Sequence, residues 1–319
     1  MGMKLAVADI GGTHARFALA SVEGDGVTLS EAWTAKVADH ESFTHCWRAY
    51  GSRMPSPLPR LVSVGIAGSV NYPASCEPIR FTNNHWVIDP DTLREDAGLD
   101  DFHLLNDFVA IAHAATSAPD SSFRPLCGPD GPLPEGQPLS LIGPGTGTGI
   151  ALLRRGDPVF VQGTEGAHFD FAPVDAFDDA VLARLRERHG RVSAERIVSG
   201  PGLAHLAAVA GGAEQESSLV DLWQQGIAGT DAIAARAVER FCMSLGSVSG
   251  DVALAQGAKG VIISGGLGQR LFKLLPQSGF AERFCAKGRY RPVMEQMKVR
   301  LFEMEEPGLV GAALAFARR

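Results

Sequence analysis

Several features that mark particular classes of protein are missing from this sequence. Its 319 residues include five cysteines, which are scattered along the chain and form no C-x-x-C pair. That pattern is typical of reduced thiols and predicts neither a disulfide framework nor a zinc knuckle. No apolar run approaches the ~20 residues that cross a bilayer, and no charged leader precedes an apolar stretch at the N-terminus. We therefore expect a cytoplasmic protein with no membrane partner.

An excess of basic residues is missing as well. The chain has 29 lysines and arginines against 36 aspartates and glutamates, which gives a formal net charge of -7. Because a nucleic-acid backbone binds to a basic surface, we expect no nucleic-acid partner. Backbone N–H groups can still hold a small anion in an acidic protein, so the net charge does not exclude a nucleotide ligand.

What the sequence does contain is a regular alternation of strand-like and helical patterns. Hydrophobic residues make up 45% of the chain and charged residues 20%, as in ordinary globular proteins. The alternation predicts an α/β fold, and the length suits one large domain or two of ordinary size. The proline-rich stretch 117–138 interrupts the alternation and is predicted to be a loop or linker. The predicted strands are Lys4–Asp9, Ala15–Ala20, Leu61–Ala67, Phe102–Leu105, Leu139–Ile142, Gly149–Leu153 and Gly260–Ser264, and the long predicted helices are Asp175–His189 and Asp231–Ala255.

Glycine-rich turns follow the strand-like runs at three places. In the first, Asp9 ends a run and Gly11–Thr13 separates it from the next, which by itself favours a plain β-hairpin. A second turn at Gly143–Gly149 and a third at Ser264–Gly268 need a common explanation. Neither the dinucleotide fingerprint nor the Walker motif is present, but such glycines let backbone N–H groups approach an anion closely. We therefore favour phosphate binding, and the repetition indicates two related lobes.

Two polar pairs lie near these turns. Asn106-Asp107 separates a strand-like run from a helical pattern, and an N-cap and a general base are equally supported for Asp107. Glu165 and His168 have two equally supported interpretations: they form hydrogen bonds with a polyol, or they are simply two exposed residues of a loop. Carboxylate-bridged metal sites use the Glu-x-x-His motif twice, and it occurs once here, so no such site is predicted.

The turns and polar pairs belong to an ordered set of segments: Asp9–Arg16, Thr82-Asn83, Trp86, Asn106–Phe108, Gly143–Gly149, Glu165–Pro173, Val192–Leu203 and Ile263–Leu267. In this order they resemble the bacterial glucokinases of the hexokinase/actin-like ATPase superfamily. The Asp-x-Gly-Gly-Thr element is shared by the whole superfamily. Ser-Ala-Glu-Arg-Ile-Val-Ser-Gly-Pro-Gly-Leu together with Glu-Gly-Ala-His is particular to these glucokinases.

The resemblance implies an α/β fold of two ribonuclease-H-like lobes, as in actin and hexokinase, with an active-site cleft between them. The small lobe would span residues 1–108 and 302–319, because the C-terminal helix returns to it, and the large lobe residues 109–301. The implied reaction is ATP-dependent phosphorylation of D-glucose on the 6-hydroxyl, the first step of glycolysis. Mg²⁺ is the implied cofactor and a homodimer the implied assembly.

The resemblance also implies roles for individual residues. Asp107 would be the base that takes the proton from the sugar 6-hydroxyl, and Asp9 would position Mg²⁺ through water. The implied glucose ligands are Asn106, Asp107, Glu165, His168 and Glu195, with Asn83 a weaker candidate. The implied ATP-binding residues are Ala8, Asp9, Ile10, Gly11, Gly12, Thr13, Gly145, Thr146, Gly147, Gly265 and Gly266.

Some positions depart from the family pattern. His14 stands where the family often has asparagine, and Ala167 replaces a common glycine, which leaves the choice of sugar open. A related hexokinase acting on another hexose or an amino sugar is therefore the alternative. A non-catalytic sugar sensor is disfavoured, because no helix-turn-helix precedes the first predicted strand. The repressor-type sugar kinases carry a cysteine-rich zinc motif that this sequence lacks, so we expect no structural zinc.

Overall fold

The computed structural model, which describes residues 2–70 and 73–319, contains two units with separate sheets. The first unit holds the residues up to Ala118 together with Val161–Gly163 and Met304–Arg319. The second unit holds Pro119–Phe160 and Thr164–Glu303. Both units combine strands with helices, which confirms the predicted α/β class.

The secondary structure follows the predicted order, and the predicted strands and long helices are confirmed. Asp175 and Asp231 cap the two long helices by accepting hydrogen bonds from backbone N–H groups of the first turn. The strands are β1 Met3–Ile10, β2 His14–Glu23, β3 Gly26–Leu29, β4 Trp33–Lys36, β5 Leu61–Ile66, β6 Ile79–Arg80, β7 Val87–Ile88, β8 Asp101–Asn106, β9 Phe123–Cys127, β10 Pro138–Pro144, β11 Thr148–Arg154, β12 Phe160–Thr164, β13 Gly260–Ile263 and β14 Lys298–Phe302. The α-helices are α1 Phe43–Gly51, α2 Pro90–Ala97, α3 Asp107–Ser117, α4 Ala176–His189, α5 Gly202–Gly211, α6 Leu219–Ala228, α7 Ala232–Gln256, α8 Gly265–Leu271, α9 Phe280–Cys285, α10 Arg291–Glu295 and α11 Pro307–Ala317.

The two main sheets share a central arrangement of four strands. Within the described residues, the strand order is β3-β2-β1-β5-β8 in the first unit, where β4 also pairs with β2, and β12-β11-β10-β13-β14-β9 in the second. Each sheet joins an antiparallel hairpin, β1/β2 or β10/β11, to two parallel strands, β5 and β8 or β13 and β14. This recurrence confirms the predicted relation between the two halves. It also puts the carboxyl ends of the parallel strands at one edge of each sheet, where ligands commonly bind in α/β proteins.

Each unit has its own core. Along β1, Ala6, Ala8 and Ile10 pack in one apolar cluster and Leu5 and Val7 in another, as the two-residue period of a strand requires. The first cluster includes side chains of α1 and α2, and the second includes side chains of α3 and α11. A separate cluster fills the second unit around α7.

The prediction of a loop over residues 117–138 is wrong in part, because β9 forms within it. This strand lies at the edge of its sheet and pairs with β14. Pro125 stands opposite Arg300, beside a register shift. An edge strand tolerates proline because one side of its hydrogen-bond ladder has no strand partner. Proline at this position is therefore compatible with an edge strand and does not exclude a strand.

The third glycine stretch is also different from the prediction. Residues 264–268 do not form a turn, because β13 passes into α8 at Gly265.

Among the residues that the structure describes, no helix combines the length and apolar character that crossing a bilayer requires.

Candidate active site

The first glycine turn lies between β1 and β2. The two strands pair up to Ile10 and Ala15, and the N–H of Gly11 donates to the carbonyl of His14 across 2.9 Å. The turn is packed closely, since a Cβ on Gly12 would lie 2.9 Å from the Cβ of Asn83. The structure therefore brings the predicted residues 8–13 and Asn83 together in the first unit.

Asp9 sits in a constrained setting at the end of β1. Its Oδ2 lies 3.6 Å from Nη1 of Arg16, and Nε of Arg16 lies 3.9 Å from Oε2 of Glu306. A Cβ on Gly308 would lie 2.8 Å from the same Oδ2, so a larger residue there would require the Asp9 carboxylate to move. Burial raises the pKa of the Asp9 carboxyl to about 6, an effect that Arg16 opposes and Glu306 reinforces.

No local sequence pattern indicates two members of this arrangement. Glu306 and Gly308 lie near the C-terminus, far from Asp9 along the chain. Glu306 has a φ of 46°, the left-handed region that non-glycine residues rarely adopt. Such strain persists where surrounding contacts impose it, and here the residue is followed by α11 packed on β1 and α3.

Asp107 follows β8, which is parallel to β5, as β1 is. Asp9 and Asp107 thus come from the two strands that flank β5, at their carboxyl ends. Asn106 caps α3, because its Oδ1 accepts from the N–H groups of Phe108 and Val109 at 2.9 and 3.1 Å. The interpretation of Asp107 as the N-cap is therefore wrong.

The carboxyl group of Asp107 has an unusual proton affinity. Burial raises its pKa to about 7, with a further increase from the charge of Asp9. The N–H of Phe108, 2.8 Å from Oδ1, acts in the opposite direction by stabilising the carboxylate. A carboxylate with a pKa near neutrality, at the carboxyl end of a parallel strand, is suited to general-base catalysis.

The second glycine turn, between β10 and β11, is held by side chains and backbone of the second unit. The N–H of Gly145 donates to the carbonyl of Gly147, and the N–H of Gly200 donates to the carbonyl of Gly145, each across 2.7 Å. The N–H of Thr148 donates to Oε2 of Glu195 across 2.8 Å. A Cβ on Gly147 would lie 2.5 Å from that same oxygen. Glu195, predicted as a sugar ligand, therefore also supports the turn.

The start of α8 lies beside this turn. The N–H of Ser264 donates to the carbonyl of Ile142 across 2.8 Å, which aligns β13 with β10. Gly265 has a φ of +84°, and its Cβ would lie 3.1 Å from the carbonyl oxygen of Pro144. Apart from its chain neighbours and the backbone of its own helix, no described residue lies within 4 Å of the position that a Cβ on Gly266 would take. Gly265 thus allows the backbone of α8 to approach that of β10, and space is left beside Gly266.

Glu165 and His168 lie on a loop that is tied to the segment carrying Glu195. The Oε2 of Glu165 is 3.8 Å from Nε2 of His168, and the side chains are 74% and 56% exposed, which leaves both open to a ligand. The N–H of Ala194 donates to the carbonyl of Phe169 across 2.9 Å, and this bond joins the two segments. These acceptors and donors can serve several hydroxyl groups of one polyol.

Ala167, a departure from the family pattern, does not alter this polar face. It is 2% exposed and packs in the core of the second unit, between the two exposed polar residues in sequence. The predicted residues therefore form two groups, one in each unit. The first unit carries residues 8–13, Asn83, Asn106 and Asp107, and the second carries residues 145–147, Glu165, His168, Glu195, Gly265 and Gly266.

Comparison with known proteins gives one consistent family. The family model described as Glucokinase matches residues 6–319. The glucokinase of Zymomonas mobilis is 46% identical over 323 residues, which cover 99% of this chain and 98% of that protein. A crystal structure of a glucokinase from an Antarctic psychrotroph has a TM-score of 0.84 at 30% identity and covers 99% of each chain.

A more distant structure shares the fold alone. It is a ROK family glucokinase from Streptomyces griseus in complex with glucose and AMPPNP, with a TM-score of 0.64 at 18% identity over 98% of each chain. These similarities confirm the family resemblance and the expected sugar-kinase fold. Matched along almost all of its length by the family model and by a curated relative, this chain belongs to the glucokinase family.

Proposed function

We propose that this protein transfers the γ-phosphoryl group of ATP to the 6-hydroxyl of D-glucose. The observation that carries the proposal is Asp107, a carboxyl group whose pKa of about 7 results mainly from burial, at the carboxyl end of β8 in a chain of this family. Near neutral pH such a group can accept a proton from a hydroxyl that attacks phosphorus. As the new P–O bond forms, the bond from the γ-phosphorus to the β,γ-bridging oxygen breaks, and Asp107 takes the hydroxyl proton. The products are the phosphate ester, ADP and a protonated Asp107.

The phosphate groups of ATP would be held mainly by backbone N–H groups. Residues 11–13 and 145–147 form the two glycine turns, and Gly265 and Gly266 open α8 beside the second turn. Glycine allows a phosphate oxygen to reach the backbone, where several N–H groups can donate to it. Phosphoryl transfer depends on this positioning and on charge stabilisation more than on covalent chemistry by the protein.

Asp9 would hold the metal ion that accompanies ATP. Mg²⁺ is often bound through one or two carboxylates together with water and substrate phosphates, and a cation would relieve the cost of ionising this buried group. When bound, Mg²⁺ neutralises charge that develops on the phosphate oxygens. Arg16, Glu306 and Gly308 would keep the Asp9 carboxylate in one orientation.

The sugar would be recognised by hydrogen bonds to its hydroxyl groups. We assign Glu165, His168 and Glu195 to this role, with Asn106 and Asn83 contributing from the first unit. Asn106 donates one amide hydrogen to the carbonyl of Gly68 across 2.9 Å, and its second amide hydrogen is left for a ligand. A polar site of this kind rejects sugars that lack a hydroxyl, because a group of the site then loses its partner.

We also propose the organisation that the family implies. The small lobe would comprise residues 1–108 and 302–319, and the large lobe residues 109–301. The packing of α3 on α11 supports extending the small lobe to Ala118. A homodimer in the cytoplasm is the implied working form, and light scattering of the purified protein would measure its mass.

The test is ADP release from Mg-ATP by the purified protein, with glucose, mannose, fructose, N-acetylglucosamine or no sugar. We expect turnover with glucose and its loss in Asp107→Asn, by about 10²- to 10⁴-fold, which is the usual contribution of a general base. Turnover with another sugar and none with glucose would identify that sugar as the substrate. Sugar-independent release, or none from the folded protein, would contradict the proposal.

A further inference from the structure

A cavity of about 550 Å³ lies beside the first glycine turn, within the first unit. Residues 12–14, 36–38 and 83–85 line it. We call it the histidine pocket, after His14 and His85, which line it together with Lys36. Its volume is in the range of small-molecule binding sites, and six of its nine lining residues have polar side chains.

The polar groups of the histidine pocket favour an anion. His14 and Lys36 are register partners between β2 and β4, so their side chains share one face of the sheet, with Cβ atoms about 5 Å apart. The lining contains no carboxylate, although the chain as a whole has a net charge of -7. Across the part of the chain that the structure describes, no ion pair joins Lys36 to a carboxylate. A positive charge facing an imidazole without a counter-ion is stabilised when an anion binds between them.

The pocket is held in shape by hydrogen bonds among its segments. The N–H of Val37 donates to the carbonyl of Thr13 across 2.9 Å, and Nδ2 of Asn84 donates to the carbonyl of Gly11 across 3.2 Å. Trp86, 1% exposed, anchors the third segment by donating from Nε1 to the carbonyl of His40 across 2.8 Å. A site held in this way loses little entropy when a ligand binds.

The histidine rings have defined partners. Nδ1 of His14 is 3.0 Å from Oγ1 of Thr13, which leaves its Nε2 for a ligand. Nε2 of His85 is 3.2 Å from the carbonyl oxygen of His40. Because a carbonyl oxygen only accepts, this nitrogen carries the hydrogen, and Nδ1 of His85 is left to accept one.

We propose that the histidine pocket binds a phosphoryl group, with Lys36 and His14 as donors to its oxygens. His85 would accept a hydrogen bond from a hydroxyl of the ligand. Two sources have this chemistry, the phosphate chain of the nucleotide and a separate small phosphate such as inorganic phosphate or a sugar phosphate. If the phosphoryl group belongs to the nucleotide, the inference rests on the proposed function. If it belongs to a separate phosphate, the inference does not depend on that function.

The test is a titration of the full-length protein with inorganic phosphate, followed through the histidine ring signals by NMR. It needs no turnover, so its result is independent of whether the protein phosphorylates glucose. We expect a saturable shift of the His14 signal, which is identified by its loss in His14→Asn. Lys36→Met should weaken phosphate binding about tenfold, because hydrogen bonds between ions are the strong ones. Lys273→Met, which removes the same charge from an exposed site in the second unit, should leave it unchanged.

Two results would overturn the inference. One is the absence of a saturable shift at His14. The other is equal weakening by Lys36→Met and Lys273→Met, which would indicate attraction by overall charge. Repeating the titration with saturating AMPPNP identifies the source of the ligand. Loss of the phosphate response would assign the pocket to the nucleotide phosphates, and its persistence would assign it to a separate phosphate.

Discussion

At the scale of single residues, Asp107 combines two opposing requirements. The proposed role as base needs its carboxylate form, whereas burial favours the protonated form and raises the pKa to about 7. The charge of Asp9 adds to this effect on the pKa of Asp107. A base with a pKa of about 7 is about half ionised at neutral pH and still holds a proton well once it has accepted one.

The pH dependence of turnover follows from this pKa. We expect kcat/KM for glucose to be constant above about pH 7 and to fall about tenfold for each pH unit below it, as the essential carboxylate is protonated. Initial rates between about pH 5 and pH 9, at saturating Mg-ATP, measure the profile. A flat profile from about pH 5 to pH 7 would remove Asp107 from the role of base.

The same shift makes a prediction about stability. The pKa of Asp107 rises from 3.8 to about 7 on folding, so ionisation opposes folding. The cost is absent below about pH 4, grows from there to about pH 7 and is full above it. Asp107→Asn should therefore raise the thermal midpoint by a few degrees at about pH 8 while reducing turnover, and the gain should shrink as the pH falls. Calorimetry measures both midpoints, and a variant less stable than the parent at about pH 8 would show that the carboxylate is stabilised by contacts.

At the scale of elements, α11 uses two glycines in different ways. Gly308 faces Asp9, and a Cβ there would lie 2.8 Å from Oδ2 of that side chain. Gly311 faces α3, and a Cβ there would lie 1.6 Å from the carbonyl oxygen of Ala110. One contact involves a side chain that can rotate, and the other involves a backbone that cannot move without displacing a helix.

Alanine substitutions at these positions should separate activity from stability. Gly308→Ala should displace the Asp9 carboxylate and lower kcat/KM about tenfold, with a small effect on unfolding. Gly311→Ala should force α11 from α3 and reduce the free energy of unfolding by about 2 kcal/mol or more, as overpacked cores do. Urea unfolding and steady-state kinetics on both variants measure the two effects. Equal loss of stability in the two variants would mean that the Asp9 side chain cannot rotate away from an alanine at position 308.

Much of the fold at this scale could be predicted from the sequence, since apolar runs, caps and glycine turns are local signals. The hairpins that carry Gly11–Thr13 and Gly145–Gly147 were found in this way. β9 was not predicted, because its proline was taken as evidence against a strand. Proline is unfavourable in a central strand but is tolerated in an edge strand such as β9. Glu306 and Gly308 were missed because their relation to Asp9 depends on where α11 packs, which no local pattern indicates.

At the scale of the whole molecule, each unit has its own core, and the chain returns to the first unit at its end. The returning segment is α11, whose residues Leu309, Ala312 and Phe316 are buried in the cluster that also contains Leu5 and Val7. The first unit therefore requires the last residues of the chain, whereas the second is complete at Glu303. Two such cores need not unfold in a single step.

Removal of residues 304–319 tests this dependence. Leu309 and Phe316 alone are each expected to contribute ~1.5–3 kcal/mol through burial, a large part of the 5–15 kcal/mol that stabilises a typical domain. The truncated chain should lose protection of β1, β2 and β5 against hydrogen exchange, because one face of their sheet is uncovered. β10, β13 and α7 should keep the protection that they have in the full-length protein, since their core lies in the second unit. Hydrogen exchange with mass spectrometry on both chains measures the contrast. Equal loss of protection in both units would show that the second core depends on the first, and full protection throughout would show that α11 is dispensable.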